Sequence, residues 1–412
     1  MKQESRYLRW LTGGILGLMS MAAGLNWFVN PFSVFDAPVI SDFNANKPDY
    51  VNYLRLTHAY RVERLKPECI LLGTSRTGRG LSPDHPALKD LKCYNMALPA
   101  MSLYEMRRYL QHAQAIRPQK LVILALDLRI FNPEPGANAA FSDARLRVDS
   151  NGQRQFNLFS AQLPDLASSL ISMSALQASV TAVRKQSWVK DTLAPDGFWE
   201  PLTDQWDHIK TFPFYTRTGA QQFEEMLKNE DIFRKNVEEL RLLLRETYGR
   251  GTDVKLIIHP AHAWHWQTLW LSGLWPRFEA MKRQLMGINA EEAIRANHKA
   301  YPVWDFSGTY GPALESIPTK QGDAMRWVWE PGHYKQALGD VLLNRVMGID
   351  MEDPELAGFG VKLDEAGLES HLAHLRTLQE QYAVNYPDDV ARIRTLMKEG
   401  TGSLILGQNN GK

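Results

Sequence analysis

Residues 120–127 read KLVILALD, and their six apolar residues lie between Lys120 and Asp127. A short apolar run bounded by polar residues is typical of a strand that is buried on both faces of a parallel sheet. Four further runs have the same character, and helical patterns fill most of the gaps between the runs. These four are Cys69–Leu72, Cys93–Asn95, Val254–His259 and Pro302–Phe306. The alternation of strands with helices predicts a doubly wound α/β fold with a five-stranded parallel sheet.

Helical patterns also define the remainder of the chain. The predicted helices are Ser102–Ile116, Leu163–Lys185, Asp231–Tyr248, Gln284–Lys299, Tyr334–Met347, Asp364–Tyr382 and Pro387–Lys398. Residues 132–229, between the third and fourth strands, are too long for a plain loop and are expected to form an inserted cap. We therefore predict a membrane anchor at 1–36, an α/β domain at 37–348, and a C-terminal helical extension at 349–412 that ends in a frayed tail from Gly400 to Lys412.

The N-terminal segment is apolar and long enough to cross a bilayer. No charged side chain occurs between Trp10 and Phe35, and Leu11–Val29 alone has the length of a membrane span. Basic residues precede this stretch and acidic residues follow it, so the rest of the chain is expected outside the cytoplasm. The predicted localisation is the inner (cytoplasmic) membrane, single-pass, with a periplasmic domain. A signal peptide cleaved near Ala22 and Ala23 and a buried soluble helix are the alternatives.

Charge and cysteine content exclude several classes of protein. The 47 basic residues nearly balance the 46 acidic ones, and a net charge of +1 provides no field that would attract nucleic acid. Two cysteines, Cys69 and Cys93, are too few for a disulfide framework or a four-cysteine zinc site. Neighbouring parallel strands rarely give good bridge geometry, so two buried thiols are expected. A disulfide is the alternative if the chain is exported.

A serine follows the first predicted strand, in the sequence Gly73-Thr74-Ser75-Arg76. Open α/β sheets build their sites at the carboxyl ends of strands. A serine on a tight turn at that edge is able to act as a nucleophile, with its own N–H directed at an oxyanion. The alternative is a polar helix cap. Thr77 stands where the nucleophile elbow of α/β-hydrolases needs glycine, which disfavours that fold.

A second polar motif, Glu330-Pro331-Gly332-His333, follows the last predicted strand. The Pro-Gly turn allows the Glu330 carboxylate to accept a hydrogen bond from Nδ1 of His333, which leaves Nε2 free to accept a proton. A turn whose histidine only packs is the alternative. Because the carboxyl ends of parallel strands share one edge, we expect Ser75 to lie close to this pair.

These motifs resemble those of the SGNH (GDSL-like) hydrolase superfamily, in which a nucleophilic serine follows the first strand and an Asp-x-x-His pair lies near the carboxyl terminus. The resemblance covers about Pro67–Met347, apart from the insertion. The anchored layout is similar to that of the alginate O-acetylation proteins and of the DltD-type proteins of teichoic-acid D-alanylation. This resemblance implies an SGNH/flavodoxin-like fold and acyl chemistry at a serine.

The resemblance also implies roles for individual residues. Ser75 corresponds to the nucleophile, His333 to the general base, and Glu330 replaces the aspartate that orients the base. The oxyanion would be stabilised by the N–H of Ser75 and by Asn95, through its side-chain amide or a neighbouring N–H. The family's Gly-x-Asn-Asp block is absent, since Ala125–Arg129 occupies its position. A missing oxyanion donor costs about a hundredfold or more in rate.

Candidate substrate-binding residues surround these motifs. Seven of the twelve tryptophans fall between Trp264 and Trp329, and rigid aromatic faces suit sugar rings. Core packing is the alternative for each of them. The predicted substrate-binding residues are Arg76, His262, Trp264, Trp327 and Trp329.

Three histidines, His259, His262 and His265, are spaced by three residues. No carboxylate or cysteine nearby completes a zinc signature, so a metal-dependent hydrolase is the least favoured alternative. We expect no metal and no cofactor.

The expected function is that of an exported, membrane-tethered serine esterase or O-acyltransferase with a Ser-His-Glu triad. Its expected acyl group is acetyl, and its expected substrate is a cell-surface or secreted polysaccharide. Expected partners are this polysaccharide and other polymer synthesis proteins, among them a multi-span membrane acyltransferase, but not nucleic acid. The alternative is a noncatalytic SGNH-like protein that binds polysaccharide or serves as a scaffold of an envelope polymer synthesis complex.

Overall fold

A computed structural model describes residues 2–134, 136, 138–204, 206–349 and 353–399. Within these ranges the strands form one six-stranded sheet and two small hairpins. The strands are β1 (Cys69–Leu72), β2 (Cys93–Asn95), β3 (Leu121–Leu126), β4 (Asp191–Leu193), β5 (Trp199–Pro201), β6 (Asp253–Ile258), β7 (Val303–Asp305), β8 (Val328–Glu330), β9 (His333–Tyr334) and β10 (Val361–Leu363). The prediction of a mixed α/β architecture is confirmed.

The large sheet has the strand order β10-β7-β6-β3-β1-β2. Its five predicted strands are all present and parallel to one another, whereas β10 pairs antiparallel with β7. The predicted five-stranded sheet is therefore corrected to six strands. Strand β10 was missed because it has only three residues and two of them are exposed, so it lacks an apolar run. Strand β10 belongs to the predicted C-terminal extension, so part of that extension pairs with the sheet, and the predicted domain boundary at residue 348 stays a prediction.

Helices cover both faces of the sheet. The α-helices of the described residues are α1 (Lys2–Val29), α2 (Leu54–Leu65), α3 (Ser75–Gly80), α4 (Leu103–Ile116), α5 (Leu163–Ile171), α6 (Met173–Arg184), α7 (His208–Leu227), α8 (Glu230–Gly249), α9 (Ala263–Leu271), α10 (Trp275–Arg295), α11 (Gln336–Met347), α12 (Leu368–Asn385) and α13 (Pro387–Lys398).

Alternate side chains of each strand serve two separate cores. Ile70 and Leu72 pack with helices α2, α4, α8 and α10, which lie side by side in that order. Cys69 and Leu71 belong to the core on the opposite face, which includes Leu342 of α11. Burial on both faces explains why these strands are apolar throughout rather than alternating.

The N-terminal helix α1 is the helix in the described residues that is long and apolar enough on its own to cross a membrane. It covers the predicted span Leu11–Val29 and begins earlier, at Lys2. Most of its apolar side chains are exposed, which distinguishes it from a core helix. The predicted orientation and membrane type stay expectations.

The two cysteines form a disulfide, so the prediction of two free thiols is wrong. Cys69 and Cys93 are direct register partners in the parallel pair β1–β2, and their Cα atoms lie 4.3 Å apart. The expectation failed because it considered adjacent strands in general and not this register, in which the two residues lie directly opposite each other.

The predicted cap contains helices α5, α6 and α7 and the hairpin β4–β5. The helix predicted for Leu163–Lys185 is divided at Ser172, whose side chain caps α6 through the amide of Ala175. In the C-terminal extension, the predicted tail Gly400–Lys412 lies outside the described residues.

A buried polar cluster joins the C-terminal extension to the sheet. Lys282 of α10 lies 2.7 Å from the Asp305 carboxylate at the end of β7, and both are fully buried. His371 of α12 contacts the same carboxylate oxygen at 2.9 Å. Burial raises the pKa of Asp305, but Lys282 and His371 outweigh this effect and hold that pKa well below its usual range. The carboxylate is therefore charged in the folded protein, and it fixes α12 against the sheet.

Candidate active site

Ser75 is the first residue of α3, directly beyond the carboxyl end of β1. The chain turns at Gly73, where an added Cβ would lie 2.7 Å from the carbonyl oxygen of Ala125 on β3. Thr74 then donates its hydroxyl to the Asp127 carboxylate at 2.8 Å. These contacts fix the half-buried Ser75 at the edge where parallel strands end.

Glu330 and His333 face each other across the hairpin β8–β9, whose turn is Pro331-Gly332. The His333 Nδ1 is hydrogen-bonded to the Glu330 Oε1, and the Gly332 amide donates to Glu330 Oε2 at 2.7 Å. On the other side of the ring, Nε2 of His333 lies 2.6 Å from Oγ of Ser75. The three residues singled out in the sequence thus form one continuous hydrogen-bonded chain, whose catalytic roles stay predictions.

The environment keeps the Glu330 carboxylate charged. Burial raises the pKa of Glu330, but the contacts with His333, the Gly332 amide and the nearby Arg76 guanidinium lower it more, so this pKa lies below its usual range. A charged Glu330 accepts a hydrogen bond and therefore favours the tautomer in which the proton of His333 is on Nδ1. In this tautomer Nε2 is an acceptor and is able to receive the proton of the Ser75 hydroxyl.

A cavity of about 380 Å³ opens beside Ser75 and His333. The cap helix α7 forms one wall through Tyr215, Gly219 and Phe223. The opposite wall comes from loops that follow the strands of the sheet. A cavity of this size falls within the range of small-ligand pockets. The predicted cap therefore covers the serine, although no single cap residue was predicted to do so.

Two arginines line this cavity, Arg76 next to Ser75 and Arg129 after β3. Arg76 is 4% exposed and donates from Nη2 to Nε2 of His265 at 3.0 Å. Arg129 lies over the Phe223 ring, and its buried Nε has no hydrogen-bond partner. Burial and the neighbouring Arg76 lower the pKa of Arg129 to about 10, which leaves it charged at neutral pH. Burial, reinforced by both arginines, lowers the pKa of His265 well below its usual value, so His265 is neutral.

Asn95 is not placed to stabilise an oxyanion, which corrects the sequence prediction. It is fully buried, and its amide donates to the carbonyl oxygens of Thr77 at 2.9 Å and Leu81 at 2.8 Å. The nearby backbone amides are also occupied, since those of residues 95, 96, 97 and 98 all donate to other groups. Asn95 instead anchors the C-terminal end of α3 to β2.

His262 does not contact the cavity beside Ser75, contrary to the prediction. Its Nδ1 accepts from the Trp264 amide at the start of α9, and its Nε2 bonds to the Glu315 carbonyl oxygen at 2.8 Å. It is a helix cap, and it borders a second cavity of about 460 Å³ between α7 and the C-terminal helices. The other two histidines of the motif have separate partners: His259 bonds to Thr77 and Tyr334, and His265 bonds to Arg76.

The tryptophans predicted to bind substrate are core residues. Trp264 is 1% exposed and packs edge-on against Phe212, while Trp329 is 4% exposed and lies against Trp206. Trp327 is 7% exposed and lies beneath the Arg326 guanidinium. None of these three lines the cavity beside Ser75. Clustering along the chain indicates proximity to a site but not which side of a loop faces it, so the predicted role of these tryptophans has no support at this cavity.

Sequence reasoning missed Arg129, Tyr215 and His265 as cavity residues. Arg129 had a usable signal, because it follows the third strand at the edge where the site was expected. Tyr215 had none, since the cap helix α7 on which it lies was not predicted. His265 was noted only as part of a histidine triplet. Of the predicted substrate-binding residues, Arg76 alone lines the cavity.

Close backbone packing holds α3, and with it Ser75, in place. A Cβ added at Gly339 of α11 would lie 1.6 Å from the carbonyl oxygen of Gly80, at the end of α3. We expect Gly339→Ala to lower the free energy of unfolding by about 1–3 kcal/mol, because the two helices must move apart. Denaturant unfolding measures this change.

The matched control is Gly287→Ala in α10, where an added Cβ meets nothing within 4 Å. We expect this substitution to stabilise the protein by about 0.5–1 kcal/mol, because alanine favours a helix over glycine. Equal effects of the two substitutions would contradict the packing explanation.

Comparison with protein-family models, with curated proteins and with solved structures finds no match to this chain.

Proposed function

We propose that this protein is a membrane-tethered serine esterase or O-acyltransferase with an SGNH-like active site. The observation that carries the proposal is the hydrogen-bonded chain from Ser75 through His333 to Glu330 at the edge of a cavity. A serine, a histidine and a carboxylate in this order are the elements of nucleophilic acyl transfer on several unrelated folds. The parallel strand order β2-β1-β3-β6-β7 supports the fold assignment, since flavodoxin-like sheets have the same order.

The reaction begins when His333 Nε2 removes the proton of the Ser75 hydroxyl. Ser75 Oγ then forms a bond to the acyl carbon, and the imidazolium is stabilised by Glu330. When the tetrahedral intermediate collapses, the bond from the acyl carbon to the leaving oxygen breaks and that oxygen takes the proton from His333. In the second half, water or a sugar hydroxyl gives its proton to His333, and its oxygen bonds to the acyl carbon. The bond from the acyl carbon to Ser75 Oγ then breaks, and Oγ takes the proton from His333, which restores both residues.

The oxyanion requires donors that do not include Asn95. The Ser75 N–H opens α3 and has no hydrogen-bond partner among the described residues, so it is one donor. We propose the Arg129 guanidinium as the second. It follows β3, where the family has its asparagine, and its buried Nε is unpaired beside the cavity. A preorganised charge in a site screened from water stabilises a developing negative charge strongly.

Replacement of Arg129 tests this second donor. We expect Arg129→Met to lower kcat for an acetyl ester about a hundredfold, because the transition state loses a charged donor. Arg129→Lys keeps the positive charge but not the planar set of N–H donors of the guanidinium, and we expect a smaller loss of kcat than with methionine. Steady-state kinetics separates kcat from KM. A change confined to KM would instead indicate that Arg129 only binds substrate.

The proposed acyl group is acetyl, and the proposed acceptor or substrate is a cell-surface or secreted polysaccharide. A periplasmic location is part of this proposal. It is supported by the Cys69–Cys93 disulfide, since such bonds persist in oxidising compartments, and by the apolar helix α1. A multi-span membrane acyltransferase would then supply the acyl group from the other side of the membrane.

The direct test is to trap the acyl-serine. The full chain in detergent is incubated with an activated acetyl ester, quenched in acid and digested, and the peptide that contains Ser75 is examined by mass spectrometry. An added acetyl group on Ser75 that is absent from Ser75→Ala supports the proposal. Unmodified Ser75 at every time point, without ester turnover, would contradict it.

The second candidate is a noncatalytic polysaccharide-binding or scaffold protein. It is favoured by one observation, the commitment of the Asn95 amide to backbone carbonyls, which keeps this side chain from the oxyanion. Glycan binding that is unchanged in Ser75→Ala and His333→Ala, together with absence of ester turnover, would support this candidate instead.

A further inference from the structure

The helices α5 and α6 form a bent pair, with an angle of 52° between Leu158–Ile171 and Met173–Arg184. We call residues 158–184 the cap hairpin. Unlike α7, the cap hairpin does not line the cavity beside Ser75. It packs against α1 instead. Its function therefore lies elsewhere than in forming the catalytic cavity.

Asn26 fixes the hairpin to the end of the anchor helix. Its amide donates to the Leu170 carbonyl oxygen of α5 at 2.7 Å, and its side-chain oxygen accepts from the Ser179 hydroxyl of α6 at 2.7 Å. Asn26 is fully buried among these groups. Burial of the Asn26 amide near a bilayer without hydrogen bonds would cost several kcal/mol. Both helices of the hairpin are therefore needed as hydrogen-bond partners of Asn26 where α1 leaves the membrane.

The level of the hairpin relative to a bilayer follows from the length of α1. Leu11–Val29 rises about 28 Å at 1.5 Å per residue, close to the ~30 Å thickness of the hydrocarbon core. Asn26 lies within one turn of the end of this span. When α1 spans a membrane, the cap hairpin therefore lies beside the boundary between hydrocarbon and headgroups.

The cap hairpin carries few charges. Within residues 158–184 the charged residues are Asp165, which is paired with Arg145, and Arg184 at the end of α6. Large apolar side chains are nevertheless exposed on and beside the hairpin. They are Phe156, Phe159, Leu163, Ile171, Met173, Val180 and Trp188. Exposed apolar patches of this kind mark contact surfaces, and aromatic residues such as Trp188 are enriched at membrane interfaces.

We propose that the cap hairpin is a second membrane-contact element, which lies in the interface of the phospholipid bilayer beside the anchor α1. Two features favour lipid over a protein partner. The hairpin packs directly against α1, whose apolar side chains such as Leu18 and Trp27 are exposed in the same way. Asn26 also fixes the hairpin to the end of α1, which is the level of the bilayer surface when α1 spans the membrane. This proposal does not depend on catalysis, although it does require α1 to be in the membrane.

Spin labels on the full chain in phospholipid nanodiscs test the proposal. Single cysteines are introduced as Phe159→Cys and Met173→Cys, at positions that are 81% and 67% exposed. Ile294→Cys is the matched control, because Ile294 is 80% exposed. It lies on α10, and α2 and α10 are the two ends of the helix layer α2-α4-α8-α10. Leu18→Cys reports on the anchor itself. The native disulfide leaves no other cysteine to label.

Collision of each label with oxygen, which partitions into lipid, is compared with collision with a water-soluble nickel chelate. We expect the oxygen-to-nickel ratio at positions 159 and 173 to be several-fold higher than at 294 and closer to that at 18. A low ratio at 159 and 173 with a high ratio at 18 would overturn the proposal while leaving the anchor intact. Protection from both reagents would also overturn it, since that result indicates a second copy of the chain or another protein.

Discussion

Ser75→Ala is expected to reduce the turnover of an activated acetyl ester by about 10⁴-fold or more. The substitution removes the only atom of the proposed site that forms a covalent bond to the acyl group, while the cavity and the remaining donors stay in place. In a serine hydrolase, loss of the nucleophile costs nearly as much as loss of the whole triad, and the residual rate comes from the oxyanion donors and from binding. Initial rates of ester hydrolysis, corrected for the uncatalysed reaction, measure the effect.

Ser82→Ala is the matched control for this substitution. Ser82 lies just beyond α3 and is 4% exposed, and its hydroxyl accepts from the Asp84 amide at 3.2 Å without contact with the cavity. We expect it to keep near-normal turnover. If the two variants retain the same activity as the unmodified protein, the observed turnover does not arise at Ser75, and the acyl-serine mechanism is wrong.

Glu330→Gln is expected to lower kcat by about 10³–10⁴-fold with little change in stability. The amide group of glutamine is able to donate a hydrogen bond to Nδ1 of His333. This contact favours the tautomer whose ring proton is on Nε2. A protonated Nε2 is unable to accept the proton of Ser75, and an equivalent change in another serine hydrolase has an effect of this size. The remaining side-chain oxygen still accepts from the Gly332 amide, which currently donates to Glu330 at 2.7 Å.

Glu330→Asp and Glu315→Gln complete this experiment. Aspartate keeps the negative charge on a shorter side chain, so we expect a smaller loss of kcat than with glutamine. Glu315 is a nearby carboxylate whose side chain accepts from the Arg326 and Trp327 amides and does not contact His333. Its replacement by glutamine is expected to leave kcat near normal. Equal losses in Glu330→Gln and Glu330→Asp would indicate that packing, and not the tautomer of His333, explains the effect.

The sequence was informative where a single physical rule decides the structure. Strands such as Leu121–Leu126 are apolar because helices cover both faces of the sheet. The apolar run therefore predicts such a strand even when the strand that pairs with it is not known. The closeness of Ser75 and His333 was expected from the rule that side chains after parallel strands meet at one edge, although His333 reaches this edge on the separate antiparallel hairpin β8–β9. Both predictions needed only local pattern and strand direction.

Other features depend on tertiary contacts that no local pattern records. The Asn95 amide donates both of its hydrogen bonds to backbone carbonyls, and these become its neighbours only when α3 packs on β2. Trp264 is buried by Phe212 of the cap, which is separated from it by about fifty residues. The Cys69–Cys93 bond depends on the exact register of two strands. Residue type indicates which contacts a side chain is able to make, whereas tertiary packing decides which of these contacts form.

The antiparallel strand β10 has a practical consequence for shortened versions of the chain. Removal of everything after Gly348 would leave one side of β7 without its ladder partner and would separate Asp305 from His371. An open strand edge of this kind recruits other chains and promotes aggregation. Crystallisation or activity work on a trimmed soluble fragment should therefore retain the sequence through Lys398, even though those last helices are far from the serine along the chain.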